Sequence, residues 1–447
     1  VVGKLLGARQ ITLAGRDGPH YRDCARRVYA GWQGARPAAL PTRAHAPKGP
    51  TMKAPSLTLG VEEEYQIIDP ASRDLVSYVT QLLAEDHRVL TQVKPELHQS
   101  IVEVGTNVCQ TPAEVRAELV KLRRGVMELA ARKGYRIAAA GTHPFANWQT
   151  QEITPYEHYL GTRSDMGDLA QRLLIFGTHV HIGIEDREFM IDACNVARYF
   201  LPHILCLTSS SPFWYGRETG LKSYRSVVFR AFPRSGVPPI LNSDYDFKAY
   251  IETLMATGSI AGPHKIWWDI RPHGKYPTLE FRVCDVCTRV DEAVAIAAIL
   301  QALIFKLYKM RRDNTTFRVY SSALIEENKW RAVRYGLSGK LIDFGKQVEL
   351  PAPQLVREFI EWFLGDVVDE LGTRTEVEHA FRILDEGSSA DRQLATFKRT
   401  GSLEAVVDQL IDETAEGVLT AAEVRELGLR APTGEYPVVG VRERAGA

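Results

Sequence analysis

Between Ser56 and Ile68 apolar and polar side chains trade places along a run that reads as a β-strand, and its centre, Val61-Glu62-Glu63-Glu64-Tyr65, holds three adjacent carboxylates. Successive strand side chains point to opposite faces, so Glu62 and Glu64 share one face while Val61, Glu63 and Tyr65 share the other. Two carboxylates about 7 Å apart repel by about 2 kcal/mol at an effective dielectric near 20. Water, a proton or a cation must offset that repulsion. The turn Asp69–Asp74 follows, and the pattern predicts a hairpin return through Leu75–Val79. A second acidic strand is expected over Leu97–Val104, with Glu96 just ahead of it and Glu103 alone among apolar neighbours. A buried carboxylate there needs a cation, an arginine or a proton.

Thr111-Pro112-Ala113-Glu114 is a capping box with proline at the first helical position, and Val115, Leu119, Leu122, Val126 and Leu129 form the apolar stripe of the helix it opens. A strand over Arg136–Ala140 leads into the loop Gly141–Trp148. Leu173–Ile184 again reads as a strand, with His179 and His181 on one face. Helices are expected over Arg187–Tyr199 and Pro202–Ser209. Trp267–Pro272 and Thr278–Val283 read as paired strands about the turn His273-Gly274-Lys275, with Glu280 and Arg282 on a common face. Asp291–Arg311 reads as a helix whose apolar run is broken by Gln301. From Glu326 onward the chain reads as almost wholly helical, with helices over Pro353–Leu371, Thr375–Asp385 and Ser402–Thr414, the second opened by a capping box at Thr375.

Composition narrows the class. At 447 residues, 45% hydrophobic and 25% charged, the chain has the make-up of a soluble globular protein. Zero formal net charge argues for neither a nucleic-acid nor a membrane partner. The balance is uneven, since nine Lys/Arg stand against two Asp before Met52. Residues 1–55 therefore read as a basic extension without fixed structure, with a transit peptide as the alternative and Met52 as a candidate natural start. Residues 56–430 read as one catalytic domain with a helical C-terminal part, and 431–447 as a loose tail. Six scattered cysteines point to a reducing compartment, the cytoplasm, and Cys284-x-x-Cys287 lacks the second pair that a zinc site would want. No apolar run reaches membrane-spanning length.

Separate strands thus offer Glu62 and Glu64, Glu103, His179 and His181, and Glu280 with Arg282. So many oxygen ligands suit Mg²⁺ or Mn²⁺, which keep waters and are commonly completed by nucleotide phosphates. A carboxylate-lined sheet holding such ions is a device for phosphoryl transfer. Two other readings stand beside it: a catalytically silent binding protein, and a metal-dependent hydrolase built on His179-x-His181. Arg225 is a candidate anion contact or a surface arginine. Arg331 and Arg334, three apart on one helix face, either reach a nucleotide or form a solvated charge pair.

Leu59–Gln66, Gly177–Gly183 and Thr278–Asp285, together with His98–Gly105, Ser211–Gly216 and Glu327–Gly336, resemble the signatures of the type-2 glutamate-cysteine ligase family, carboxylate-amine ligases of the glutamine-synthetase-like superfamily. The resemblance implies an α+β fold, a curved and mainly antiparallel sheet with helices packed on its outer face and ATP with its metals in the concave side. It implies Glu62, Glu64, Glu103 and Glu280 as metal ligands with Glu96 as a further candidate, and His179 near metal or phosphate. The implied chemistry is amide formation from glutamate and an amine such as cysteine, through an acyl phosphate made from ATP. Arg282 is then expected at the transferred phosphoryl group, Arg225 and His181 at the substrate, and Arg331 and Arg334 at the nucleotide. The expected partners are small molecules, and a homodimer is the expected assembly.

Overall fold

The computed structural model describes residues 53–84 and 92–427, so the expectations for the basic extension up to Met52 and for the tail from 431 lie outside the described residues. A seven-stranded antiparallel sheet organises the chain: β1 (Leu59–Ile68), β2 (Val93–Pro95), β3 (Ile101–Gly105), β4 (Arg136–Ala138), β5 (Gly177–Gly183), β6 (Ile270–Pro272) and β7 (Thr278–Asp285). Its order is β6-β7-β5-β1-β3-β2, with β4 beside the end of β1. The ten residues of β1 are enough to pair β3 along one edge, and β5 followed by β4 along the other. A register shift between Phe281 and Cys284 bends β7 as it runs along β5.

Helices cover one face of this sheet. Helix α1 (Pro112–Arg132) begins where the Thr111 side chain accepts from the Glu114 N–H, and buries its predicted stripe. Helix α3 (Val290–Arg312) is buried along most of its length. Its one break in the apolar run, Gln301, donates from Nε2 to the carbonyls of Leu57 and Gln110 at 2.8 and 3.2 Å and so ties the helix to the chain on either side of β1. Helix α2 (Tyr224–Arg230) lies against β7, and helix α4 (Ser322–Tyr335) follows α3.

The structure corrects several sequence expectations. Leu75–Val79 does not return as a strand: Leu75 makes one bridge to Ile68, and the N–H groups of Tyr78 and Val79 both turn to the Gln99 carbonyl. The second acidic strand starts only at Ile101, because His98 pairs Ile153 instead. The region after Glu326 contains a β-hairpin, Lys340–Asp343 with Val348–Pro351, and a further helix, Ser389–Thr400. The helix expected over Pro353–Leu371 is interrupted by a wide turn at Phe359–Phe363. Thr375 is no cap, since its helix already begins at Arg374. Ser402 is one, accepting from the Ala405 N–H.

Candidate active site

Antiparallel register gathers the acidic residues. Glu64 lies opposite Glu103, Glu62 opposite His179, and Glu280 opposite His181, so all six side chains belong to one face of the sheet. The same pairing adds two cations that the sequence reading passed over. Arg271 stands across from Glu280, and Lys94 across from Glu103. Counting outward from a turn centred on Gly274 would set Arg271 across from Pro277, and the real register, centred between Lys275 and Tyr276, sets it across from Glu280; Lys94 sits on a three-residue strand with no pattern of its own.

Each carboxylate has a distinct environment. Glu280 accepts from Arg271 Nε at 2.6 Å and from Arg282 Nη1, and is almost wholly buried. Burial opposes its ionisation, but the two guanidinium groups outweigh it and hold its pKa far below the usual carboxylate range. Glu62 meets His179 Nδ1 at 3.1 Å and His181 Nε2 at 3.8 Å. Those contacts outweigh its burial and lower its pKa as well. Glu64 accepts the Gly177 N–H at 2.6 Å, yet burial, opposed by Arg225 and reinforced by Glu103, pushes it up to about 7. Burial, with Glu103 and Glu64 nearby, pushes Glu96 up to about 8. Glu103 rises through burial and Glu62, against the pull of Lys94 at 3.3 Å. Burial and the charge of Arg282 keep His179 neutral, at about 4.

Beside these groups lies a cavity of about 110 Å³ that combines Glu64, Glu96, His179, Arg225 and Arg282 with an apolar wall including Phe229 and Trp267. The Nε atoms of Arg225 and Arg282 and the Nε2 of His181 are buried without a hydrogen-bond partner. Phe229 has the guanidinium carbons of Arg225 and Arg282 at 5.6 and 5.9 Å from its ring centre. Ligand atoms of Glu62, His181 and Glu280 lie within 4.8 Å of one another, a spacing that fits a metal ion.

Arg331 and Arg334 are engaged elsewhere. Arg331 pairs with Glu327 and Glu349 at 3.0 Å each, and Arg334 donates to the Gly220 carbonyl. Neither lines the cavity. The five described cysteines are free and buried, Cys284 and Cys287 among them.

Two solved structures share this framework. The glutamate–cysteine ligase of Francisella tularensis in complex with AMP superposes with a TM-score of 0.60 over 83% of this chain and 91% of that one, at 13% identity. A bifunctional glutathione synthetase from Pasteurella multocida gives 0.60 over 81% of this chain and 52% of that one, at 14% identity. At such identities the likeness is one of fold. Joined to the sequence matches, the helix-backed sheet with its carboxylate and guanidinium face defines an ATP-dependent carboxylate–amine ligase. The chain belongs to Glutamate-cysteine ligase family 2 (GCS2), whose profile matches residues 58–409. Relatives named "Putative glutamate--cysteine ligase 2" include one from Herpetosiphon aurantiacus, 57% identical over 81% of this chain and 94% of that protein. Another, from Solibacter usitatus, is 52% identical over 82% of this chain and 96% of that protein.

Proposed function

We propose that the carboxylate face joins the γ-carboxylate of glutamate to an amine, with cysteine the first acceptor to test, releasing ADP and phosphate. A carboxylate oxygen takes the γ-phosphoryl group from ATP as ADP leaves. The amine nitrogen then attacks the acyl carbon, phosphate departs, and the amine gives up a proton. The observation that carries this reading is the convergence of Glu62, Glu64, Glu103 and Glu280 with two histidines on one sheet face, beside arginines whose Nε atoms have no partner.

Glu62, Glu64, Glu103 and Glu280, with Glu96 near them, would hold Mg²⁺ or Mn²⁺, and the Nε2 of His181, which has no hydrogen-bond partner and lies 3.8 Å from Glu62, extends the donor set. Bound there, the metal supplies neutralisation of phosphate charge. The chain's own groups do the rest. Arg282, fixed by Glu280, presents a guanidinium to the transferred phosphoryl oxygens. Arg225 faces the cavity and suits a substrate carboxylate. Neutral His179 holds Glu62 in place through Nδ1. The apolar wall limits water around the acyl group. Buried free thiols fit a cytoplasmic setting.

The test is to incubate the protein with Mg-ATP, glutamate and cysteine and to follow ADP, phosphate and product mass. ADP release that requires both amino acids supports the ligase. Release with neither, or none across a wide panel of amines, sinks it. Chelation with EDTA should abolish turnover and added Mg²⁺ or Mn²⁺ restore it, which an ion-independent rate would contradict.

A further inference from the structure

Asp285, at the end of β7, is wholly buried and touches no part of the cavity, yet it gathers three donors. The Ser210 N–H and the Ser211 hydroxyl donate to Oδ2 at 3.0 and 2.6 Å, and the Ser223 hydroxyl donates to Oδ1 at 2.7 Å. With their protons committed to the carboxylate, the two hydroxyls keep lone pairs for the start of helix α2, whose first N–H groups have no partner inside the helix. Ser211 Oγ accepts the Arg225 N–H at 3.0 Å, and Ser223 Oγ accepts the Ser226 N–H at 3.4 Å. The side chain of Arg225 is tied to the same strand, its Nη2 donating to the Arg282 carbonyl at 3.2 Å.

Glycines keep both approaches open. A Cβ on Gly177 would lie 2.5 Å from Arg225 Nη2, and one on Gly141 would lie 2.8 Å from Asp285 Cγ. The strand that supplies Glu280 and Arg282 thus also fixes where Arg225 begins and where its guanidinium rests.

We propose that Asp285 is a positioning residue, which aims Arg225 into the cavity by orienting the Ser211 and Ser223 hydroxyls toward the N-terminus of α2. The inference rests on the reading of Arg225 as the contact for a substrate carboxylate. An asparagine at this position keeps the shape but directs an amide N–H at a group that already donates.

The experiment compares Asp285→Asn, Arg225→Met and the double variant with the parent protein. Asp285→Asn should raise KM for the carboxylate substrate about tenfold while KM for ATP stays within about twofold. Adding Asp285→Asn to Arg225→Met should cost little more in kcat/KM than Arg225→Met alone, because the two act through one group. In the ligand-free protein, the amides of Ser210, Ser211, Arg225 and Ser226 should exchange about tenfold faster in Asp285→Asn, with β1 and β5 unchanged. Ser223→Ala, which removes a single link, should shift KM and exchange the same way by about threefold. Additive costs, or unchanged exchange at those amides, overturn the inference. If Arg225→Met alters no Michaelis constant, the substrate reading of Arg225 falls instead, and amide exchange decides the role of Asp285.

Discussion

At the scale of single residues, carboxylates on one face of the sheet behave unalike because their neighbours differ. Glu62 is partly exposed and held by histidines, whereas Glu280 is locked between Arg271 and Arg282. Glu62→Gln should therefore lower turnover by at least about a hundredfold with little effect on unfolding temperature. Glu280→Gln should do the same and also cost about 3–5 kcal/mol of stability, since it leaves two guanidinium groups facing each other unpaired. Kinetics with differential scanning calorimetry on both variants check the contrast. Away from the site, His143 accepts the Ala146 N–H at Nδ1 and meets the Arg73 carbonyl through Nε2, an arrangement that needs the neutral ring. Burial pushes the pKa of His143, and likewise of His203, from 6.5 down to about 4. The unfolded chain takes up more protons between those values. The share of stability these two histidines supply should be complete above pH 6.5 and fall toward pH 4 by up to about 1.4 kcal/mol per pH unit for each, while Glu64 and Glu96, with raised pKa values, contribute with the opposite sign. Urea midpoints of the parent and of a His143→Gln/His203→Gln variant across that range measure it, because the carboxylates act alike in both; profiles that run parallel would contradict it.

At the scale of elements, the three consecutive glutamates of β1 pose a register problem. A slip of one residue would turn Glu63 toward the site and bury Glu62 and Glu64. The structure resolves it from behind: Arg123 of α1 grips Glu63 at 2.6 and 2.9 Å and donates to the Thr288 and Cys287 carbonyls just beyond β7. The Tyr65 hydroxyl donates to the same carboxylate. Arg123→Met should cost about 3–5 kcal/mol by stranding a buried charge. Adding Glu63→Leu should recover most of that loss and the activity with it, because Val-Glu-Leu-Glu-Tyr alternates without a break. A double variant no more stable than Arg123→Met would defeat the argument. The alternation showed that Glu63 faces away from Glu62, but its partner, some sixty residues on, carried no local mark. The missed hairpin at Lys340–Pro351 has a similar cause. Its strands are four residues each and bury only Leu341, so no apolar period announces them.

At the scale of the whole molecule, the long helices α1 and α3 cover one side of the sheet, and the short helix α2 brings Arg225 and Phe229 to the carboxylate side. Among the described residues, no helix is long and apolar enough to cross a membrane. Because the family match begins at residue 58, a chain begun at Met52 should unfold at the same temperature and turn over at the same rate as the full sequence. A large loss in either would give the basic segment a role. The sequence by itself determined the strands that bear Glu62, Glu64, Glu280, His179 and His181, and which of these share a face, because strand periodicity is a local property of the backbone. It also marked the helix capped by Thr111 and the buried run of α3. Only the tertiary structure decided which strands are neighbours, and hence that Arg271 and Lys94 neutralise acids, that Arg123 backs the site, and that Arg331 and Arg334 spend their charge elsewhere. Partnership across a sheet depends on chain crossings and packing, which a sequence pattern with a two-residue period does not encode.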